Sequence, residues 1–154
     1  MTAHAKIIVL LISSLSLLSC SHKTIYTEYH SMPANGWHMD SLQVFSWEIT
    51  DTAATYDIIL HIRHSERYRY QNMWLFIDNE LTETAVKDTI EFYLADDRGY
   101  WLGNNHSGFI EMPVIYEQGY TFDSIGRYSL RLQQGMRDSV LGAILDVGVE
   151  IQKQ

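Results

Sequence analysis

Residues 56–63 constrain the fold more than any other stretch of this chain. Tyr56, Ile58, Leu60 and Ile62 alternate with Asp57, Ile59, His61 and Arg63. Successive side chains of an extended strand point to opposite faces, so this pattern makes one apolar face and one mixed face. The period of two recurs. Phe45, Trp47 and Ile49 share a side within 42–49. Ile90, Phe92 and Leu94 oppose Lys87, Thr89, Glu91 and Tyr93. Tyr128, Leu130 and Leu132 point one way within 126–133. Residues 24–30 and the set Val147, Val149, Ile151 also have strand character, and Pro113 demotes 112–116 to an edge strand. Met73, Leu75 and Ile77 alternate with Trp74 and Phe76, which predicts a strand buried on both faces or packed under a loop. Turn residues cluster at 32–36, 51–54, 78–84 and 95–108. Residues 134–141 are expected to hold one helical turn. No stretch sustains a period of three to four. About eight short strands predict an all-β chain, a single antiparallel β-sandwich or jelly-roll-like domain.

A different pattern governs the first twenty residues. Lys6 is the only charged side chain before Cys20; Ile7-Ile8-Val9-Leu10-Leu11-Ile12 follows, and Leu17-Leu18-Ser19 precedes the cysteine. A cationic start, an apolar run and a small residue at the cut make a secretory signal. The run is too short and too serine-rich for a transmembrane span. Leu17-x-Ser19-Cys20 resembles the bacterial lipobox, in which the cysteine thiol receives a diacylglyceryl group before cleavage. Cys20 is the only cysteine of the chain, so it makes no internal disulfide and lipidation accounts for it. Two or three acyl chains anchor a protein stably, at ~0.8 kcal/mol per buried methylene. The expected organisation is a lipoprotein signal peptide over 1–19, the lipidated Cys20 and a short tether over 20–24, and the β-sandwich domain over 25–154.

The formal net charge is −8, and it becomes more negative once Lys6 leaves with the signal. Such an acidic domain is a poor partner for nucleic acid or an anionic membrane face. His61 and His64 stand three apart, so a strand sends them to opposite faces, and Arg63, Arg67 and Arg69 would repel a cation. They are expected at a solvated strand end. Arg67-Tyr68-Arg69-Tyr70 interleaves cations and aromatics, a candidate face for a glycan or an acidic partner. Asp78, Glu80 and Glu83 lack the alternating oxygens and central glycine of a calcium loop. Asp88 and Glu91 lie on opposite faces of their strand. There is no Gly-x-Ser-x-Gly and no phosphate loop. No catalytic constellation stands out, so no enzyme activity, cofactor or metal is expected. Gly99-Tyr100-Trp101-Leu102-Gly103 sets two aromatics between glycines, which allow tight backbone paths. It reads either as a recognition patch for a protein partner or sugar, or as a loop folding back so that Trp101 plugs one open end of the sandwich.

At these residues a resemblance enters. Lys87-Asp88-Thr89-Ile90-Glu91-Phe92-Tyr93-Leu94-Ala95-Asp96, leading into Gly99-Tyr100-Trp101-Leu102-Gly103, resembles the central block of the gliding-motility lipoprotein GldH family of Bacteroidota. Tyr29 with Trp37 and Asp40-Ser41, Gln71-Asn72-Met73-Trp74-Leu75-Phe76-Ile77, Gln134-Gly135-Met136-Arg137 and Asp146-Val147-Gly148-Val149 resemble further blocks in the same order. The resemblance implies a non-enzymatic, membrane-anchored lipoprotein that supports gliding motility and the associated secretion machinery, with envelope proteins of that apparatus as partners. It implies no cofactor and no catalytic residues. Tyr100, Trp101 and Arg137 are the candidate interaction residues. A carbohydrate-binding or glycan-processing envelope lipoprotein is the alternative. Ser21-His22-Lys23-Thr24 carries neither an acidic surface-export run nor an aspartate directly after the cysteine. The expected location is therefore the periplasmic face of the outer membrane.

Overall fold

A computed structural model describes residues 23–82 and 84–154; the expected signal peptide and lipidation site at Cys20 lie outside them. Eleven strands and no helix occur among the described residues: β1 (Lys23–Ser31), β2 (Trp37–His38), β3 (Gln43–Ile49), β4 (Tyr56–His64), β5 (Asn72–Glu80), β6 (Val86–Tyr93), β7 (Asn104–His106), β8 (Phe109–Tyr120), β9 (Gly126–Gln134), β10 (Val140–Leu141) and β11 (Ile144–Lys153). One sheet has the order β1-β11-β4-β8-β7, a second has β3-β9-β5-β6, and β10 pairs with β2 alone. All pairings are antiparallel. The eight long strands form nested pairs, β1 with β11, β3 with β9, β4 with β8 and β5 with β6. That is one long hairpin folded over on itself, the winding of a jelly roll.

Alternation decides which side chains meet between the sheets. Ile58, Leu60 and Ile62 of β4 and Val147, Val149 and Ile151 of β11 join Phe45, Trp47, Met73, Leu75, Ile77, Leu130 and Leu132 of the other sheet in one buried cluster. Turns close the two ends. At one end Phe122, from the β8–β9 turn, packs between Tyr56, Tyr120 and Tyr128 at ring separations of 4.4–5.3 Å. At the other end Trp37 is fully buried. Its Nε1 donates to the Ser41 carbonyl over 2.8 Å. Gly36, at φ 112°, precedes it because a Cβ there would press on the Leu141 carbonyl.

Several expectations are corrected. Residues 134–141 hold no helical turn. The buried Gln134 amide instead donates to the Asp138 carbonyl and accepts from the Met136 N–H, at 2.7 and 2.8 Å, which folds the segment into a compact bend leading to β10. Trp74 and Phe76 are not covered: they stand 37% and 46% exposed on the outer face of the four-stranded sheet. The neighbouring bend reaches the edge of that face, where Met136 Sδ accepts from the Trp74 N–H at 3.3 Å. His61 and His64 do point to opposite faces, but both are buried rather than solvated. The predicted turn at 78–84 begins later, because β5 runs on to Glu80, where the carboxylate meets Arg131 at 2.6 Å. Residues 104–106, expected within a loop, form β7. It covers β8 only as far as Glu111, so the next outward position, Pro113, faces a free edge and needs no N–H.

Candidate functional site

Lys23 opens β1 three residues after Cys20, opposite Lys153, which in turn lies opposite Tyr56. The far end of the sandwich begins where β4 finishes at His64. Nine strand residues at about 3.3 Å each place that end ~27 Å away. The turns gathered there are 65–71, 94–103, 135–139 and 142–143. Tyr100, Trp101 and Arg137 all belong to this end, opposite the one where the chain arrives from Cys20.

The 94–103 turn is built by Asp96. Its Oδ1 accepts from the N–H groups of Arg98 and Tyr100, both at 2.9 Å, and its own N–H donates to the Tyr100 carbonyl at 2.9 Å. Gly99 supplies the φ of 81° that this reversal needs. The returning chain then bridges Ala95 to Trp101, and the Leu102 N–H donates to Leu94 at 2.8 Å. Extended alternation now separates the two aromatics. Tyr100 turns outward, 69% exposed. Trp101 turns inward, its ring edge-on to His64 at 4.7 Å and tilted to Tyr68 at 6.4 Å. Gly103, at φ 84°, passes so close to the Glu111 carbonyl that no Cβ fits.

His64 lies beneath Trp101. Its Nδ1 stands 3.0 Å from the Ser65 carbonyl, which can only accept, so Nδ1 carries the hydrogen. Nε2 is then a buried acceptor with no partner, and burial pushes the imidazole pKa down. The ring behaves as a neutral, flat support for Trp101. Trp101→Ala should therefore cost about 1–3 kcal/mol, below the loss at a fully buried aromatic. Tyr100→Ala should stay within about 0.5 kcal/mol of the parent. Urea melts of the two variants measure the difference, and equal losses would refute this division of roles.

Arg137 is exposed and follows the bend that grips β5, where the Gly135 N–H donates to the Trp74 carbonyl at 2.8 Å. Asp138, next in the chain, accepts the Tyr70 hydroxyl at 2.9 Å. The Tyr68 hydroxyl donates to the Asn72 carbonyl at 3.0 Å. The 65–71 turn therefore sits between the two candidate segments, touching Trp101 through Tyr68 and the Arg137 bend through Tyr70. No direct contact joins Trp101 to Arg137.

Two features escaped the sequence reading. The first is a polar network on the outer face of the five-stranded sheet. Gly148 of β11 lacks a side chain, so the Tyr29 ring lies across it, where a Cβ would stand 2.6 Å away. The Tyr29 hydroxyl donates to Glu111 Oε1 at 2.7 Å. Arg63 Nε donates to the same oxygen at 3.0 Å, and its guanidinium covers the Tyr29 ring at 3.7 Å. His61 lies between Glu150, 2.9 Å from Nε2, and Glu111, 3.5 Å from Nδ1. Its only visible signal was that His61 and Arg63 share the polar side of an alternating strand. The second feature is the exposed aromatic row Trp74, Phe76 and Tyr93. No group of three or more His, Cys, Asp or Glu among the described residues is placed to hold a metal ion.

Comparison with known proteins adds three findings. A family model described as GldH lipoprotein matches residues 24–151. A gliding motility lipoprotein GldH homolog of Christiangramia forsetii is 34% identical over 143 residues, covering 88% of this chain and 87% of the relative. The gliding motility lipoprotein GldH of Flavobacterium johnsoniae is 28% identical over 154 residues, covering 95% of each.

Proposed function

The chain belongs to the GldH lipoprotein family, and from that premise we propose that it is a lipid-anchored protein of the cell envelope that serves gliding motility as a non-enzymatic interaction module. The observation that carries this reading is the match across nearly the whole domain to relatives named for gliding motility. The leader supports the anchor: Leu17-Leu18-Ser19-Cys20 offers one thiol behind a short apolar run. The described chain begins with Lys23 at one end of the jelly roll and the candidate residues Tyr100, Trp101 and Arg137 gather at the other, a layout suited to presenting them to a partner. The outer membrane, with the domain facing the periplasm, is the location the residues after Cys20 favour. Partners are envelope proteins of the gliding and secretion apparatus.

Cys20→Ser tests the anchor. The domain should leave the detergent-extracted membrane fraction and appear soluble, with an unchanged melting curve, and cells should lose surface spreading. Mild-detergent co-purification of the tagged parent protein tests the module: reproducible co-isolation of envelope proteins supports it, and isolation of the chain alone would refute it. Trp74, Phe76 and Tyr93 on one sheet face favour carbohydrate binding as the second reading, since aromatic faces stack on sugar rings. Titration with neutral oligosaccharides supports that reading only where Trp74→Ala abolishes the signal.

A further inference from the structure

We propose that the cleft between the 65–71 turn and the 138–145 segment is a docking site for a carboxylate-rich segment of a partner protein, with Arg67 and Arg69 as its cationic grip. This rests on the reading of the domain as an interaction module and names the chemistry of the partner.

The cleft encloses ≈ 450 Å³ between Arg67, Arg69 and Tyr70 on one side and Asp138, Leu141 and Ala143 on the other. Its charges are unequal in freedom. Asp138 already accepts the Tyr70 hydroxyl. Glu66 lines the adjoining hollow with Asn105 and His106, and Arg67 stands at the border of the two. Asp96 of the neighbouring turn directs its Oδ1 to two backbone N–H groups. Arg67 and Arg69 form no ion pair among the described residues, whereas Arg63 and Arg131 each hold a glutamate. Two guanidinium groups without an ion-pair partner thus line one cleft of a chain whose net charge is −8. A planar guanidinium with free donors binds a carboxylate bidentately and orients it.

The grip is also rigid. Tyr68 alternates with the arginines, and its buried ring is fixed by the Asn72 carbonyl, His64 and Trp101. Tyr70 is fixed by Asp138 and carries the Arg69 guanidinium 5.8 Å above its ring. The turn that displays the two cations is pinned at both tyrosines, so little ordering remains to be done on binding. The site lies at the end of the sandwich opposite Lys23, where β1 begins.

The test uses the domain with its native tether. A fluorescein-labelled peptide alternating glutamate and serine is titrated by fluorescence anisotropy. The same peptide with glutamine for glutamate, inorganic phosphate and a polygalacturonate fragment serve as comparators. The glutamate peptide should bind, weaken steeply with added salt and lose about tenfold or more in affinity in Arg67→Glu/Arg69→Glu. Arg127→Glu, at the opposite end, should bind as the parent does. Absence of glutamate-peptide binding, equal loss in Arg127→Glu, or tighter binding of polygalacturonate or phosphate would each overturn the proposal. The double variant changes only exposed side chains, and its melt should match the parent. In cells, unchanged co-purification of envelope proteins with Arg67→Glu/Arg69→Glu would sink the cleft while leaving the module reading intact. No co-purification even with the parent would sink the module reading itself.

Discussion

Trp37→Ala should lower the unfolding free energy by about 3–5 kcal/mol, the range for truncating a fully buried large aromatic. Trp37 has no exposed surface and belongs to the single core cluster. It enters that core from β2, a two-residue strand tied only to β10, so the ring does more to hold β2 in place than the reverse. Its Nε1–H bond to Ser41 fixes the start of the connection to β3. Removing the ring opens a cavity where the jelly roll is closed by turns rather than by a continuous sheet, and it leaves the Ser41 carbonyl without its donor. Trp37→Phe keeps most of the bulk and loses the indole N–H; the lost bond costs about 1 kcal/mol, and the smaller ring adds to that. Urea unfolding at neutral pH checks both, with the midpoint falling in that order and the slope unchanged. A Trp37→Ala loss no larger than that of Trp101→Ala would show that Trp37 is not the closing residue of this end.

That comparison bears on what could be read beforehand. Strand faces were legible because a half-buried sheet writes its burial into every second residue. Phe45, Trp47 and Ile49, and Ile58, Leu60 and Ile62, stand on the inner face as their alternation requires. The strand count was legible to within the three short strands, which lack the length to show a period. Trp74 and Phe76 misled because hydropathy predicts burial, and an exposed aromatic looks in sequence like a covered one. His61 and His64 misled for the converse reason: the sequence shows their polarity, while Glu150, Glu111 and the Trp101 ring that cover them come from distant strands and turns. The plug is the sharpest case. Two tryptophans lie at the same end, Trp37 on the short strand β2 and Trp101 in a turn flanked by glycines. Trp37 follows a glycine as well, but its burial is set by β10, which pairs with it across a separation of more than 100 residues. The far-end gathering of Tyr100, Trp101 and Arg137 was likewise invisible to spacing, because Tyr68 and Tyr70 of a third turn join them.

Glu111→Ala should cost about 2–4 kcal/mol and should change how stability depends on acid. The single Oε1 of Glu111 takes hydrogen bonds from Tyr29 on β1 and Arg63 on β4. It also faces His61 Nδ1, while His106 of β7 approaches Oε2 at 3.7 Å. One carboxylate on β8 therefore reaches the edge strand β1 across the two strands between them, β11 and β4. Removing it leaves the Arg63 guanidinium and the Tyr29 hydroxyl without their acceptor and takes the nearby charge away from His61. The cost stays below that of a wholly buried pair because the Arg63 side chain keeps 27% of its exposure. The pH dependence follows from the same contacts. Burial pushes the Glu111 carboxyl up, but the Tyr29 and Arg63 hydrogen bonds outweigh it and leave the pKa below its ordinary 4.5. Burial also pushes Glu150 up, and bonds from Gln152, Thr24 and His61 bring it below the same value. A carboxyl held below its unfolded pKa binds fewer protons in the native state, so its stabilisation is complete above pH 4.5 and is lost as the pH falls through the folded value. Glu111→Gln preserves an acceptor for Tyr29 but has no proton to gain. Its urea midpoint at pH 7 should fall less than that of Glu111→Ala, and its decline as the pH drops below 4.5 should be shallower than the parent's. Parallel acid profiles for parent and Glu111→Gln would show that the network is held by packing of Tyr29 over Gly148 rather than by the charge it surrounds.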